Sequence, residues 1–128
     1  MIYQTRIDMV PIAKGRPRFS RSGRCWTPKG TRDAEKSILG HVLASEHPYW
    51  ETEALTVGLV FYIPRPKSIK RDYPTSRPDL DNYVKLVLDS LNGILWKDDS
   101  QVISLAATKA YVTQGKEIPG IEILVSKL

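Results

Sequence analysis

The chain has 128 residues, of which 41% are hydrophobic and 26% charged, proportions typical of one globular domain rather than of a disordered chain. Its formal net charge of +5 favours a polyanion, such as nucleic acid, as a partner. One cysteine and two histidines exclude an intramolecular disulfide and argue against a zinc site, and no run approaches the roughly 20 apolar residues of a membrane span. We therefore expect one cytoplasmic domain over residues 1–128.

The N-terminal segment predicts a strand followed by a basic hairpin. Ile7 and Met9 alternate with polar residues within residues 3–10, which indicates the first strand. The following stretch is basic and rich in turn residues. Within it, Ser22-Gly23 predicts a short hairpin over residues 19–26.

A helix and the clearest strand come next. Thr27 or Thr31 is expected to cap a helix that runs to about His47. Its inner face is predicted to carry Ala34, Ile38, Val42 and Leu43. Residues 54–63 alternate strictly, which predicts a strand with one apolar face made of Leu55, Val57, Leu59, Phe61 and Ile63.

The C-terminal half predicts a loop, a second helix and two strands. Residues 64–76 are basic and proline-rich without a period, so we expect a mobile loop. Residues 80–92 predict the strongest helix, and Asn92-Gly93 stops it. Its apolar stripe consists of Leu80, Tyr83, Val84, Val87, Leu88 and Leu91. Strands are predicted over residues 101–113 and 120–127, the latter with Ile121, Ile123 and Val125 on one face. The fold class is α+β, a mixed sheet carrying two main helices.

Two carboxylates, Asp79 and Asp81, stand where the second helix begins. Asp is a favoured helix cap, and for either residue alone capping is the preferred interpretation. Pro78 favours an extended entry, in which both side chains would face one cation. Lys85 follows Asp81 by one turn, so it forms either a surface ion pair or a contact with a reacting phosphate.

A second acidic pair, Asp98 and Asp99, follows the helix. The residues Lys97 to Ser100 are typical of a turn between two elements. The alternative is that one of the two carboxylates returns to the start of the second helix and completes a carboxylate cluster there. Asp89 is interpreted as a solvated helix residue. Hard cations such as Mg²⁺ prefer oxygen ligands, so acids concentrated in a basic chain indicate a divalent-metal site facing a polyanion.

Basic residues form two groups around this motif. We predict that both groups bind the DNA backbone through salt-dependent phosphate contacts, rather than only solvating loops. The first group contains Lys14, Arg16, Arg18, Arg21 and Arg24. The second contains Arg65, Lys67, Lys70, Arg71 and Arg77. The interleaved aromatics Phe19, Trp26 and Tyr73 are candidates for stacking on unpaired bases, with core packing the simpler role for the first two.

The motifs at residues 77–82 and 96–102, together with Lys85, resemble the signature of the RusA family of Holliday junction resolvases. That signature is an Asp-Leu-Asp-Asn helix start, a following lysine, and a later Asp-Asp-x-Gln-Val turn. The stretches 14–18 and 23–28 resemble the branch found in Gram-positive bacteria and their phages.

The resemblance implies roles for individual residues. Asp79, Asp81 and Asp99 correspond to metal-binding acids and Lys85 to a catalytic lysine, with Asp98 as a possible further ligand. It also implies a homodimer that uses Mg²⁺ or Mn²⁺ to place paired symmetric nicks in four-way DNA junctions during recombination and repair. The alternatives are a non-catalytic DNA-binding module and a nuclease for flaps or forks.

Overall fold

The computed structural model describes residues 1–15, 18–23, 25–26, 28–113 and 117–128, except for the side chains of residues 18, 19, 25 and 26. The elements are β1 (Ile2–Asp8), β2 (Arg18–Phe19), β3 (Cys25–Trp26), α1 (Lys29–Leu43), β4 (Leu55–Ile63), α2 (Leu80–Leu91), a 3-10 turn (Asp99–Gln101), β5 (Val102–Tyr111) and β6 (Gly120–Lys127). The predicted α+β class with two main helices is confirmed.

The main sheet has the order β1-β6-β4-β5 and is mixed, because β5 runs parallel to β4 while the other neighbours are antiparallel. Thus β5 and β6 are not neighbours but lie on either side of β4. The predicted apolar face of β4 is confirmed, and it joins the predicted face of β6 in one core. β2 and β3 form the predicted hairpin, with Gly23 at a φ of 81° in its turn.

Helix α1 is shorter than predicted. It ends at Leu43 rather than near His47, and Leu43 itself is 55% exposed. The inward prediction for Leu43 is wrong because adjacent helical residues point about 100° apart, and Val42 already occupies the core side. Pro28 stands at the N-cap, so Thr31 does not cap the helix but lies buried in its first turn. Thr27 lies outside the described residues.

Helix α2 covers the sheet beside α1. The predicted stripe packs inward, although Leu80 and Leu88 are only partly buried. Leu86, outside that stripe, is fully buried. Because α2 packs against both the sheet and α1, its buried arc is wider than the stripe that faces the sheet alone. In the described part of the chain, no helix combines the length and apolarity needed to cross a bilayer.

Candidate functional site at the entry to helix α2

The entry to α2 carries two exposed carboxylates. Asp79 is the N-cap residue with extended backbone (φ −70°, ψ 148°), and Asp81 is the second residue of the helix. The prediction that both stand in one extended segment is therefore wrong for Asp81. Within the described residues, neither carboxylate has a hydrogen-bond or ion-pair partner, and Asp79 does not cap the helix through its side chain. Both remain available to a ligand.

Lys85 lies one turn after Asp81, but its ion pair is with Asp89. The distance from Lys85 Nζ to Asp89 Oδ2 is 3.8 Å, and the Lys85 side chain is 62% exposed. An exposed pair at this distance contributes little stability, on the order of 0.3–0.5 kcal/mol. The ammonium therefore leaves this pair at small cost when an anion such as phosphate approaches.

Asp89 is not the solvated residue predicted from the sequence. Its carboxylate also lies 3.4 Å from Lys14 Nζ, which in turn contacts Glu35 on α1 at 2.9 Å. Burial lowers the pKa of Lys14, but the hydrogen bond and negative charge of Glu35, with the charge of Asp89, outweigh burial and raise that pKa overall. Lys14 thus joins α1 to α2 inside the fold, and this geometry gives no support to its predicted role at DNA phosphates.

Asp98 and Asp99 differ in what their side chains do. Asp98 accepts a 2.5 Å hydrogen bond from Ser100 and forms a reciprocal cap with Gln101, which is the turn role that its sequence favours. Asp99 has no side-chain partner among the described residues. Of the pair, Asp99 is the carboxylate left for a ligand.

Asp99 does not reach the α2 entry within one protomer. The 3-10 turn that contains it lies at the start of β5, beside Trp50 and Glu53. Asp79 lies at the far end of β5, next to Lys109. Helix α2, whose 12 residues span about 18 Å, runs between these two ends. Accordingly, no group of three His, Cys, Asp or Glu side chains in residues 1–15, 18–23, 25–26, 28–113 and 117–128 is placed to hold one metal ion.

The basic loop before Asp79 is anchored to β5. Arg71 donates hydrogen bonds to the Tyr111 hydroxyl at 3.2 Å and to Ser76 Oγ at 2.9 Å. The Arg65 guanidinium lies 4.9 Å from the centre of the Tyr111 ring. The loop that was predicted to be mobile thus has side-chain contacts with β5 and within itself. These two arginines hold the loop, whereas Lys67, Lys70 and Arg77 are exposed cations beside the site.

Two contributors to the site were not predicted. Lys109 donates from Nζ to the carbonyl oxygens of Ser76 and Pro78, at 2.9 Å each, and carried no sequence signal beyond its charge. Gln101 fixes the acidic turn, and here a signal existed. Asp98-x-x-Gln101 is the capping-box pattern, an acid or hydroxyl followed three residues later by Glu or Gln.

Of the first basic group, Arg16 and Arg24 and the side chain of Arg18 lie outside the described residues.

Comparisons with known proteins identify the family of this chain. The family model "Endodeoxyribonuclease RusA" matches residues 8–126. The chain is also 33% identical over 136 aligned positions to "Uncharacterized protein YqaN" of Bacillus subtilis (strain 168), covering 92% of this chain and 91% of that protein. The family match spans both acidic motifs and the anchored basic loop, and the chain belongs to the RusA family of endodeoxyribonucleases.

Proposed function

We propose that this nuclease is a homodimer that cuts four-way DNA junctions with paired symmetric nicks and requires Mg²⁺, with Mn²⁺ as a substitute. The observation that carries the proposal is the pair of exposed carboxylates of Asp79 and Asp81, which have no side-chain partner in the described part of a chain of net charge +5 and lie beside exposed cations. The helix dipole favours each acid at this position, but it does not require two exposed carboxylates together, whereas a metal-dependent nuclease needs such a pair.

The donor set fits a hard cation. Mg²⁺ takes oxygen ligands, typically one or two carboxylates, and keeps several waters. Asp79 and Asp81 supply such a pair, and neither must first break an internal contact with another described residue. When bound, the ion lowers the pKa of the attacking water and neutralises charge on the phosphate.

The chain's own groups then orient and stabilise the phosphodiester. Water attacks phosphorus in line with the 3′ oxygen, the P–O3′ bond breaks, and the products are a 5′-phosphate and a 3′-hydroxyl. Lys85 swings from Asp89 towards the phosphate and stabilises the negative charge that grows on its oxygens. Lys67, Lys70 and Arg77 hold neighbouring phosphates by charge.

In the proposed dimer, Asp99 of each protomer belongs to the site of the other protomer. Because it lies at the opposite end of β5 from Asp79, a third carboxylate reaches the α2 entry when a second protomer supplies it. A two-fold dimer would contain two such sites, matching the two symmetric scissile strands of a junction.

The test is cleavage of a mobile four-way junction, with each strand labelled in turn, in Mg²⁺, Mn²⁺ or EDTA. We expect symmetric nicks that need metal, that disappear in Asp81→Asn and that persist in Asp33→Asn, an exposed acid on α1. Cleavage of flaps or forks, without cleavage of junctions, would show that the protein is a nuclease for those substrates instead. Junction binding without cleavage in either metal would favour the DNA-binding module instead.

A further inference from the structure

A cavity lies between the basic loop and the body of the fold, beside the entry to α2. Its volume is about 280 Å³, and its walls come from the loop, from the last residues of β4 and β5, and from α2. Pro78, which immediately precedes Asp79, belongs to this lining. The cavity and the candidate site therefore share the backbone at the start of the helix.

One buried hydroxyl of the lining has no hydrogen-bond partner. Tyr83 is only 3% exposed, and its ring packs against Phe61 at a centroid distance of 5.3 Å. In the described part of the chain, no residue bonds to the Tyr83 hydroxyl. Every fully buried side-chain polar atom described is hydrogen-bonded, so this hydroxyl is not fully buried, and the space that Tyr83 lines is the cavity. A nearly buried polar group without a partner is costly, and a ligand in the cavity would satisfy it.

The rest of the lining combines stiff apolar walls with a hydrogen-bond donor. Pro66 and Pro74 have fixed rings, and Tyr111 adds an aromatic surface. Arg71 also lines the cavity, and its bonds to the Tyr111 hydroxyl (3.2 Å) and to Ser76 Oγ (2.9 Å) hold the loop over it. A guanidinium has five N–H donors, so three remain for a ligand. Apolar and aromatic walls with a few polar groups are how proteins hold a base taken out of a helix.

Size and charge favour DNA as the source of the occupant. The volume falls just below the usual range of ligand pockets, roughly 300–1,000 Å³, which suits one base better than a longer segment. Arg77 also lines the cavity, and Lys67 and Lys70 are exposed on the loop that covers it. These cations attract a polyanion whose backbone can run past the cavity while one base enters it.

We propose that this cavity binds one unpaired base of the DNA substrate, beside the phosphate that is cut. The Tyr83 hydroxyl hydrogen-bonds to the edge of the base, and Tyr111 and the loop prolines pack against its faces. The inference rests on the proposed function and adds to it a residue that reads the base. Bases that are already unpaired cost least to extrude, and a branch point supplies them. Binding should therefore depend on which base occupies one position near the branch.

The experiment walks a single abasic site through the nucleotides around the branch point and measures junction binding in EDTA. For the wild type we expect an abasic site at one position to weaken binding about fivefold or more. Tyr83→Phe should weaken binding of the intact junction about two- to tenfold, because one hydrogen bond is lost, and should lose less at that position. It should also lose the preference among the four bases there. The matched control is Tyr3→Phe, a buried tyrosine on β1 whose hydroxyl bonds to Ser45 at 2.9 Å.

Thermal unfolding separates this role from a structural one. Tyr83→Phe should unfold at the wild-type temperature, because the hydroxyl that it removes bonds to no described residue. An abasic profile and base preference equal to those of the wild type would overturn the proposal, as would an unstable variant that binds every junction equally weakly. Binding in EDTA requires no cleavage, so a position-specific effect without cutting in Mg²⁺ would refute only the nuclease activity. Cutting without that effect would refute only the base pocket.

Discussion

The ammonium of Lys109 donates a 2.9 Å hydrogen bond to the carbonyl oxygen of Pro78, the residue immediately before Asp79. A second bond of 2.9 Å goes to the carbonyl of Ser76. The central sheet therefore fixes the backbone from which Asp79 projects, through a lysine on the face of β5 that looks towards α2. In the proposed mechanism Lys109 is therefore a positioning residue, which acts through the backbone that precedes Asp79.

Replacing this lysine is expected to misplace Asp79. In Lys109→Met we expect the junction-cleavage kcat to fall about ten- to hundredfold, since small displacements of catalytic groups have effects of this size. The KM for junction should change little, because Lys67 and Lys70 remain. The control is Lys97→Met, which removes the same charge from a side chain that is 68% exposed. An unchanged kcat beside a raised KM would show that Lys109 binds DNA instead.

The exposed lysines of the loop are expected to determine part of the salt dependence of binding. Removing one lysine–phosphate ion pair should lower the slope of log K against log salt by about 0.9. We therefore expect Lys67→Gln with Lys70→Gln to flatten the slope by nearly two. Arg71 is left intact because it holds the loop. The comparison is Lys36→Gln with Lys127→Gln, two exposed lysines elsewhere, and equal slopes for the two double variants would contradict the phosphate role.

Tyr73 is expected to stack on an unpaired base at the junction centre. Its side chain is 74% exposed, while the next residue, Pro74, is buried and fixes the backbone beside it. Stacking contributes about 1–3 kcal/mol per base, so Tyr73→Ala should weaken junction binding roughly 5- to 150-fold. Tyr73→Phe keeps the ring and should bind normally. A 2-aminopurine at the junction centre reports stacking directly, and equal quenching by the alanine variant would rule it out.

Lys14 is expected to stabilise the fold rather than bind DNA. Lys14→Met leaves Glu35 and Asp89 without their shared cation and should lower the free energy of unfolding by roughly 1–3 kcal/mol. Because its pKa is raised above 10.5 in the folded state, the contribution is present at pH 7–9 and is lost as pH rises beyond about 10.5. Urea unfolding across this range measures it, with Lys36→Met as the control. A Lys14→Met variant of normal stability and weakened DNA binding would restore the phosphate role.

Mixed protomers test whether two chains share a site. If the partner supplies Asp99, a heterodimer of an Asp81→Asn chain and an Asp99→Asn chain keeps one complete site and loses the other. We expect each variant alone to be inactive and the mixture to nick one strand of the pair. An inactive mixture, with heterodimers shown by differently tagged chains, would mean that all three acids act within one protomer.

Local patterns predicted most of the elements. Apolar residues alternate strictly over residues 54–63 and recur at helical spacing over residues 80–92. Each period arises because one face of the element is buried, so it can be recognised from the sequence alone. The Leu43 prediction was wrong because Leu43 lies about 100° around the helix from Val42, which already faces the core. Leu86 was missed because α2 packs against α1 as well as against the sheet, which widens its buried arc.

The sequence allowed the residues of the candidate site to be proposed, but it did not predict how the fold arranges them. Asp79 and Asp81 are close in sequence, so their proximity needed no fold. The place of Asp99 depends on the parallel crossover from β4 to β5, which puts the start of β5 at the far end of α2. The ion pairs of Lys14 could not be predicted either. Its partners Glu35 and Asp89 are 21 and 75 positions away in the sequence, and no local pattern indicates them.

The amide of Gln101 accepts hydrogen bonds from the backbone N–H groups of Lys97 and Asp98 and donates to the carbonyl oxygens of Trp50 and Glu53. One side chain thus ties both ends of the acidic turn to the segment before β4. Asp99 sits between these anchors on a backbone ordered during folding. If a cation binds this carboxylate as proposed, the backbone around Asp99 is already ordered by folding, so binding restricts only the rotation of one short side chain there.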